Sequence, residues 1–269
     1  MTPRDTMHTD DNPNLIRTRI WQEQPEPDND FATRAAFCHG YDVYGAMLGS
    51  AGWADMLFLL LRGEAPTARQ AAVLDMLAVA LANPGPRDPS VHAAMCGGVA
   101  GSTAAATLSA ALAVGAGGNG GARELLLAMQ GWAACGHDLA LWRAHMLAEP
   151  DTAVSIWPAP EHVPGFDPHG LACTTIVRQT LDALCSVDQG TALPWLATHR
   201  LALEAIAARP LAMVGVAAAA LHDLGFTPAQ AEMLFLLLRL PGAAAHALEQ
   251  TEMGFRKFPF YAVQLQESP

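Results

Sequence analysis

The chain has 269 residues, of which 51% are hydrophobic, enough to bury a sizeable core in one large unit or in two closely joined ones. Its 15 Lys and Arg residues against 26 Asp and Glu give a net charge of −11, without a basic run, which argues against a nucleic-acid partner. Five scattered cysteines without a C-x-x-C pair favour buried thiols in a reducing cytoplasm over a disulfide framework or a metal site.

The first 30 residues are rich in Pro, Asp and Asn and lack the apolar block of a signal peptide. We therefore predict an N-terminal arm over 1–30 and a cytoplasmic protein. The longest apolar run, 99–118, consists mainly of Ala, Gly, Ser and Thr. Such a run is too weakly hydrophobic to predict a membrane span, so we expect a closely packed soluble helix and no membrane partner.

From about residue 43 onward the hydrophobic pattern predicts helices nearly throughout. The run "WADMLFLLLRGEAPT" predicts a buried helix that Gly63 and Pro66 end. The next run, 68–82, predicts a helix that the sequence Asn-Pro-Gly-Pro stops. Alternation of period two is almost absent, so the predicted fold class is all-α. Further predicted helices lie near 90–114, 121–134, 138–148, 170–187, 194–208, 211–224 and 228–238.

A segment with five prolines, 149–168, interrupts the helical pattern. A loop of this length in a compact helical protein is usually functional or a hinge. We therefore predict a large helical domain formed by 31–125 and 209–269, with a smaller helical subdomain, 126–208, inserted into it. Because Ala and Gly are abundant, we expect helix axes that approach one another closely.

A glycine-rich turn stands in the sequence "AVGAGGNGGARELLLAM", 113–129. It fits G-x-G-x-x-G formally, but a dinucleotide site requires a preceding strand, and here an Ala-rich helical run precedes the glycines. We predict a helix–turn–helix whose bare backbone admits a ligand or another helix, with helix N-terminal amides directed at an acceptor. Asn119, at the entrance, is either a helix N-cap or a donor to a ligand.

The order of motifs resembles the citrate synthase superfamily, especially its short branch of citryl-CoA lyase-like proteins and the C-terminal module of ATP-citrate lyase. Residues 40–67 are similar to the family's stretch from R-G-Y-D to L-L-x-G-E-L-P-T, and "GAGGNGGARE" resembles its H-G-G-A turn. The sequence "RLPGAAAHALEQ" resembles R-x-P-G-x-x-A-H-x-x-E-Q, and "FRKFPFYAVQ" resembles the terminal R-P-x-x-x-Y. The resemblance implies a citrate synthase-like fold and a homodimer.

The resemblance also implies a reaction, in which an acyl-CoA is joined to the carbonyl of an oxo acid, or the reverse. A CoA thioester is then a substrate, and no tightly bound cofactor is expected. In the family the turn histidine holds the thioester enol, a second histidine polarises the ketone, and an aspartate takes the α-proton. A thioester α-carbon is a very weak acid, so base and oxyanion donor must act together.

Carried over to this sequence, the family's catalytic positions are partly altered. Asn119 stands at the turn histidine, and its amide donates a hydrogen bond but transfers no proton. His162 stands at the second histidine, with His169 where an arginine would hold a carboxylate; in another register His169 takes the first role, and both are otherwise ordinary loop histidines. Val163, Pro164 and Gly165 match the CoA-binding segment.

The aspartate position and the carboxylate-binding positions differ in how well they match. Leu211, Met213 or Val214 stands where the aspartate is expected, and none accepts a proton. Arg239 and Arg256 match two carboxylate-binding arginines, the second of which reaches across the dimer interface in the family. Solvation at a helix end is the other interpretation of both.

Two functions follow from these matches. The first is a citryl-CoA lyase-like or citrate synthase-like lyase or acyltransferase that acts on a CoA thioester and a di- or tricarboxylate. The second is a catalytically inactive protein of this fold that binds a CoA thioester or carboxylate, or partners an active paralogue.

Overall fold

The structure, a computed structural model, describes residues 16–148, 162–259 and 263. The chain divides into two compact units, residues 1–66 and 67–269. The predicted division into a large domain and an inserted subdomain, with boundaries after 125 and 208, stays a prediction. Part of the predicted arm, 1–15, lies outside the described residues, as does most of the proline-rich loop, 149–161.

The first unit combines a small sheet with a helix. Strands β1 (Trp21–Glu26), β2 (Asn29–Cys38) and β3 (Tyr41–Asp42) pair antiparallel in that order. A π-helical turn (Val43–Met47) and helix α1 (Trp53–Arg62) follow. Helix α1 ends at Gly63, as predicted, and this glycine adopts the left-handed conformation. The sheet was not predicted, and β1 lies inside the predicted arm. Most residues of β1 and β2 are partly or fully exposed, and buried residues alternate with partly buried ones only over 35–38, where all four residues are apolar in the sequence.

The second unit is helical, which confirms the predicted fold class. Its helices are α2 (Ala68–Leu81), α3 (Pro89–Val99), α4 (Ala104–Gly115), α5 (Ala122–Cys135), α6 (Leu139–Leu147), α7 (Thr175–Val187), α8 (Ala192–Ala207), α9 (Met213–Asp223) and α10 (Pro228–Met253). The long helix α10 contacts α3, α4 and α5, and α5 also lies against α9. Residues 214–221 of α9 are all buried, so this short apolar helix lies inside the unit. A 3-10 turn, Phe255–Lys257, follows α10.

Two predicted helices differ in extent from those observed. The run 90–114 forms two helices, because Gly101 adopts φ +71° and Thr103 caps α4 through its side chain. The helix predicted over 228–238 continues through Pro241 to Met253. This proline has no N–H, and the next amide, of Gly242, donates to the carbonyl of Ala82 on α2's C-cap at 2.7 Å.

Small residues bring the helices close together, as predicted from composition. A Cβ on Gly242 would lie 2.7 Å from the Asn83 Cα, and a Cβ on Gly98 of α3 would collide with the Ala247 carbonyl of α10. Among the described residues, α10 is long and apolar enough to cross a membrane, a test that core helices also pass. Its contacts with four other helices of the unit account for that apolar character.

Candidate active site

The glycine-rich turn joins α4 to α5 between Gly115 and Ala122. The backbone folds on itself so tightly that a Cβ on Gly121 would lie 2.7 Å from the Gly115 carbonyl oxygen. Gly121 is itself the N-cap of α5, so Asn119 does not cap this helix. Asn119 is exposed, as are residues 116–120 together, which leaves its side-chain amide accessible.

The buried carboxylate of Glu124 is hydrogen-bonded to the backbone of this turn. Glu124, in the first turn of α5, is only 2% exposed. Its Oε2 accepts a hydrogen bond from the Gly120 amide at 2.5 Å, and its Oε1 accepts one from the Gly165 amide at 2.8 Å. An acidic side chain in the first turn also interacts favourably with the helix dipole. Glu124 therefore joins the turn to the loop that carries His162.

His162 lies against the same carboxylate. Its side chain is 3% exposed, and its Nε2 lies 3.3 Å from Glu124 Oε1. The contact lacks in-line hydrogen-bond geometry, and within the described ranges neither ring nitrogen has a hydrogen-bond partner. Catalytic hydrogen bonds are often long in the absence of a ligand and shorten when one binds. The structure thus places the predicted histidine and the predicted turn on one carboxylate.

The segment after His162 is built on backbone contacts. The Gly165 carbonyl accepts from the Ala212 amide at 3.0 Å, and the Val163 carbonyl accepts from Phe166 at 3.2 Å. His169, in contrast, is exposed, and its amide donates to Asp167 Oδ1 at 2.9 Å in a local turn. His162 is therefore the histidine that the fold joins to the glycine turn.

Arg239 reaches the turn from α10. It is 7% exposed, its Nη1 donates to the Gly120 carbonyl at 3.0 Å, and its Nη2 pairs with Asp88 Oδ2. Burial lowers the pKa of Arg239, and the neighbouring Asp88 opposes that shift. Since Glu124 holds the Gly120 N–H and Arg239 holds its carbonyl, one exposed glycine is bound from both sides by buried charged groups.

The remaining predicted residues lie in two other places. Arg256 is exposed in the 3-10 turn that follows α10. At the expected aspartate position, Leu211 and Val214 are buried and Met213 begins α9. The nearest acid on α9, Asp223, accepts three amides at the start of α8, those of Thr191, Ala192 and Leu193. Asp223 therefore serves as a helix cap.

Sequence reasoning missed Glu124 and Asp88. An acid in the first turn of a helix is ordinary, and the contact with Gly165 spans 41 residues, which no local spacing reveals. Asp88 is the N-cap of α3, where its Oδ1 accepts from the Ser90 amide at 2.9 Å. Only the tertiary fold shows that its second oxygen reaches Arg239.

Comparisons with known proteins found similarity in structure alone. No family model and no curated protein matches the sequence. Citryl-CoA lyase from Hydrogenobacter thermophilus superposes with a TM-score of 0.69 at 17% identity, over 95% of this chain and 98% of that one. The match confirms the citrate synthase-like helical fold that the motifs predicted.

Two ATP citrate lyases are similar over a part of their length. The enzyme from Methanothrix soehngenii, in complex with citrate and coenzyme A, gives a TM-score of 0.71 at 15% identity. A mutant of the enzyme from Methanosaeta concilii, in complex with (3S)-citryl-CoA, gives 0.67 at 14% identity. Each alignment covers 95% of this chain and 42% of the lyase, so this chain spans less than half of their length.

Proposed function

We propose that this chain acts on the carbon–carbon bond beside a CoA thioester, as a citryl-CoA lyase-like or citrate synthase-like lyase or acyltransferase. The fold it shares with proteins that bind citrate, coenzyme A and citryl-CoA supports this reaction class. A single observation carries the proposal: the amide next to Asn119 and the imidazole of His162 contact one buried carboxylate, that of Glu124.

The proposed chemistry assigns one task to each group. In the cleavage direction His162 takes the proton of the substrate hydroxyl, the carbon–carbon bond breaks, and the oxygen becomes the carbonyl of the oxo acid. The bonding electron pair passes to the thioester, whose enolate oxygen accepts a hydrogen bond from the Asn119 amide. The N-terminus of α5 adds a favourable field for that negative charge.

The α-carbon needs a proton in this direction and loses one in the other. At 211–214 the chain offers apolar side chains only, so in the proposed reaction water exchanges this proton. A positioned acid or base contributes about 10²–10⁴-fold, and its loss slows both directions equally because they share a transition state. We therefore expect slow turnover.

Carboxylate and CoA contacts complete the proposal. Arg256 and His169, both exposed, are proposed to bind substrate carboxylates, and the backbone of 163–165 to contact CoA. Arg239 is proposed as a further carboxylate site, for which a substrate must displace Asp88 from its Nη2. A homodimer, in which Arg256 reaches the partner's site, is part of the same proposal.

The direct test is turnover. Purified protein is mixed with citryl-CoA and oxaloacetate release is followed, and in the other direction acetyl-CoA and oxaloacetate are mixed and free thiol is followed. Asn119→Ala and His162→Ala should each lower the rate by about 100-fold, the loss expected for one oxyanion donor or one acid–base group. Gln179→Ala, on the exposed face of α7, is the control and should leave the rate unchanged.

A second candidate is a non-catalytic binding protein of the same fold. Two observations favour it: the apolar side chains at the expected aspartate position and the engagement of Arg239 by Asp88. Calorimetric titration with CoA, citrate and citryl-CoA separates the two candidates. Binding without turnover would establish the second and refute the first.

A further inference from the structure

We propose that Glu124 is a positioning residue, which holds the His162 imidazole with its proton on Nε2 and fixes the Gly120 amide, so that histidine and turn move together. The catalytic consequence rests on the proposed function. The positioning itself does not, because it concerns groups of this chain alone.

The geometry of the Glu124 carboxylate favours one tautomer of His162. A carboxylate only accepts hydrogen bonds, and the two oxygens of Glu124 face three nitrogens: two backbone amides and His162 Nε2. An imidazole nitrogen turned toward such an oxygen is favoured as a donor. In the proposal the 3.3 Å contact closes into a hydrogen bond when a ligand binds, which holds His162 as the Nε2–H form. The lone pair that can accept a substrate proton is then on Nδ1, an atom that is buried in this structure and must be uncovered by the substrate.

Burial strengthens the interaction between Glu124 and His162. The side chains of Glu124 and His162 are 2% and 3% exposed, so little water screens their interaction. Because two backbone amides hold the Glu124 carboxylate, it keeps its place beside the ring when a substrate binds. A carboxylate behind a histidine likewise fixes the tautomer and the orientation of the ring in hydrolytic triads.

Gly120 links the position of His162 to that of the glycine-rich turn. Its amide is bound to the carboxylate that faces His162, and its carbonyl is bound to Arg239. A change in the imidazole is therefore transmitted through Glu124 to the peptide next to Asn119. A Glu124 that only stabilised the fold would show no such coupling.

The first experiment measures the ring of His162. Protein labelled with ¹⁵N-histidine is compared with Glu124→Gln, and the His162 signals are assigned by their loss in His162→Gln. We expect wild-type shifts of the Nε2–H form, and a change of both His162 ring shifts in Glu124→Gln.

Glu204→Gln is the matched control. Glu204 also pairs with a cation, Arg200, and also accepts a backbone amide, that of Leu211. Its replacement should leave the His162 ring shifts unchanged. Unchanged His162 shifts in a folded Glu124→Gln would overturn the proposal, as would a wild-type ring with its proton on Nδ1 alone.

The second experiment leaves Glu124 in place, so it also serves if Glu124→Gln fails to fold. Asn119–Gly120 is the only Asn–Gly pair in the sequence, so ¹³C′-Asn and ¹⁵N-Gly labelling reports the Gly120 amide alone. We expect His162→Gln to shift this signal and His169→Gln to leave it in place. A Gly120 signal indifferent to His162→Gln would contradict the coupling.

Turnover then gives the catalytic consequence. Removal of a group that orients a metal-binding histidine typically costs about 10–100-fold. By analogy we expect a loss of this size in kcat of Glu124→Gln, with little change in KM. Glu124→Asp, which keeps the charge, should recover part of the loss. If the spectra change as expected and wild type shows no turnover, the positioning stands and the proposed function fails.

Discussion

At the scale of single residues, the candidate site depends on the backbone of Gly120. Gly120 donates to Glu124 and accepts from Arg239, and Arg239 is held in turn by Asp88. The turn and His162 were predicted from motif order. The contacts of the charged groups around them, Glu124, Arg239 and Asp88, were not predicted, because each of these groups bridges segments that are far apart in the chain. Local patterns report helix caps and apolar faces, and carry no signal for such contacts.

The ion pair between Asp88 and Arg239 gives the first prediction. Asp88→Asn leaves a guanidinium that is 7% exposed without its counter-charge, which should lower the free energy of unfolding by about 3 kcal/mol. If Arg239 then binds a substrate carboxylate, saturating citrate should restore part of this stability in the variant. Urea denaturation with and without citrate measures both effects. An unchanged midpoint of the variant would contradict the buried pair.

Asp188, after α7, gives a prediction for pH. Burial, together with Asp223, raises the pKa of Asp188 to about 6. A carboxyl with a raised pKa in the folded state stabilises the fold below its unfolded pKa, and this stability is lost as pH rises through about 6. Because the group is partly solvated, Asp188→Asn should gain only about 1 kcal/mol over wild type at pH 7 and nothing at pH 4.

The matched control for this prediction is Asp182→Asn, an exposed carboxyl on the same helix. Thermal unfolding of the three proteins across this pH range decides the matter. A gain in Asp188→Asn that is constant with pH would show that removal of the charge is not its cause.

At the scale of elements, the sequence predicted most helices because apolar spacing and capping residues are local. It misjudged extents where tertiary contacts intervene. Pro241 ends a helix in isolation, yet α10 continues because Gly242 donates to Ala82 instead. Strands β1 and β2 were not predicted, because their faces are largely exposed and no alternation of apolar residues marks them in the sequence.

The crossing of α10 over the end of α2 gives the third prediction. A Cβ at Gly242 would meet the Ala82 carbonyl oxygen at 2.5 Å, so Gly242→Ala must push the two segments apart. We expect a loss of about 1–3 kcal/mol in the free energy of unfolding, the usual cost of overpacking. Gly118→Ala, where a Cβ meets nothing within 4 Å, is the control. Equal stability of the two variants would contradict the close approach.

At the scale of the whole molecule, the structural likeness establishes the fold, and the assembly follows as a proposal. The proposed homodimer has twice the chain mass of 28.4 kDa, which light scattering coupled to size exclusion measures directly. A measured mass of one chain at micromolar concentration would contradict the homodimer, and with it the proposal that Arg256 reaches the partner's site.

Arg256 offers the prediction that links assembly to ligand. Arg256→Ala should leave the measured mass unchanged and weaken citrate binding about tenfold or more, since a charge-assisted hydrogen bond contributes about 1.5–3 kcal/mol. Lys257→Ala removes the adjacent cation of the same 3-10 turn and is the control. Equal affinities of the two variants would show that general charge, not the Arg256 contact, attracts the ligand.

The most direct measurement is a crystal structure of the protein with coenzyme A and citrate. The account predicts the thiol end of CoA against the turn at 119–121 and the citrate hydroxyl within hydrogen-bond reach of His162, with Glu124 still behind the ring. Ligands bound elsewhere, or an Asn119 and a His162 that face no common molecule, would contradict it.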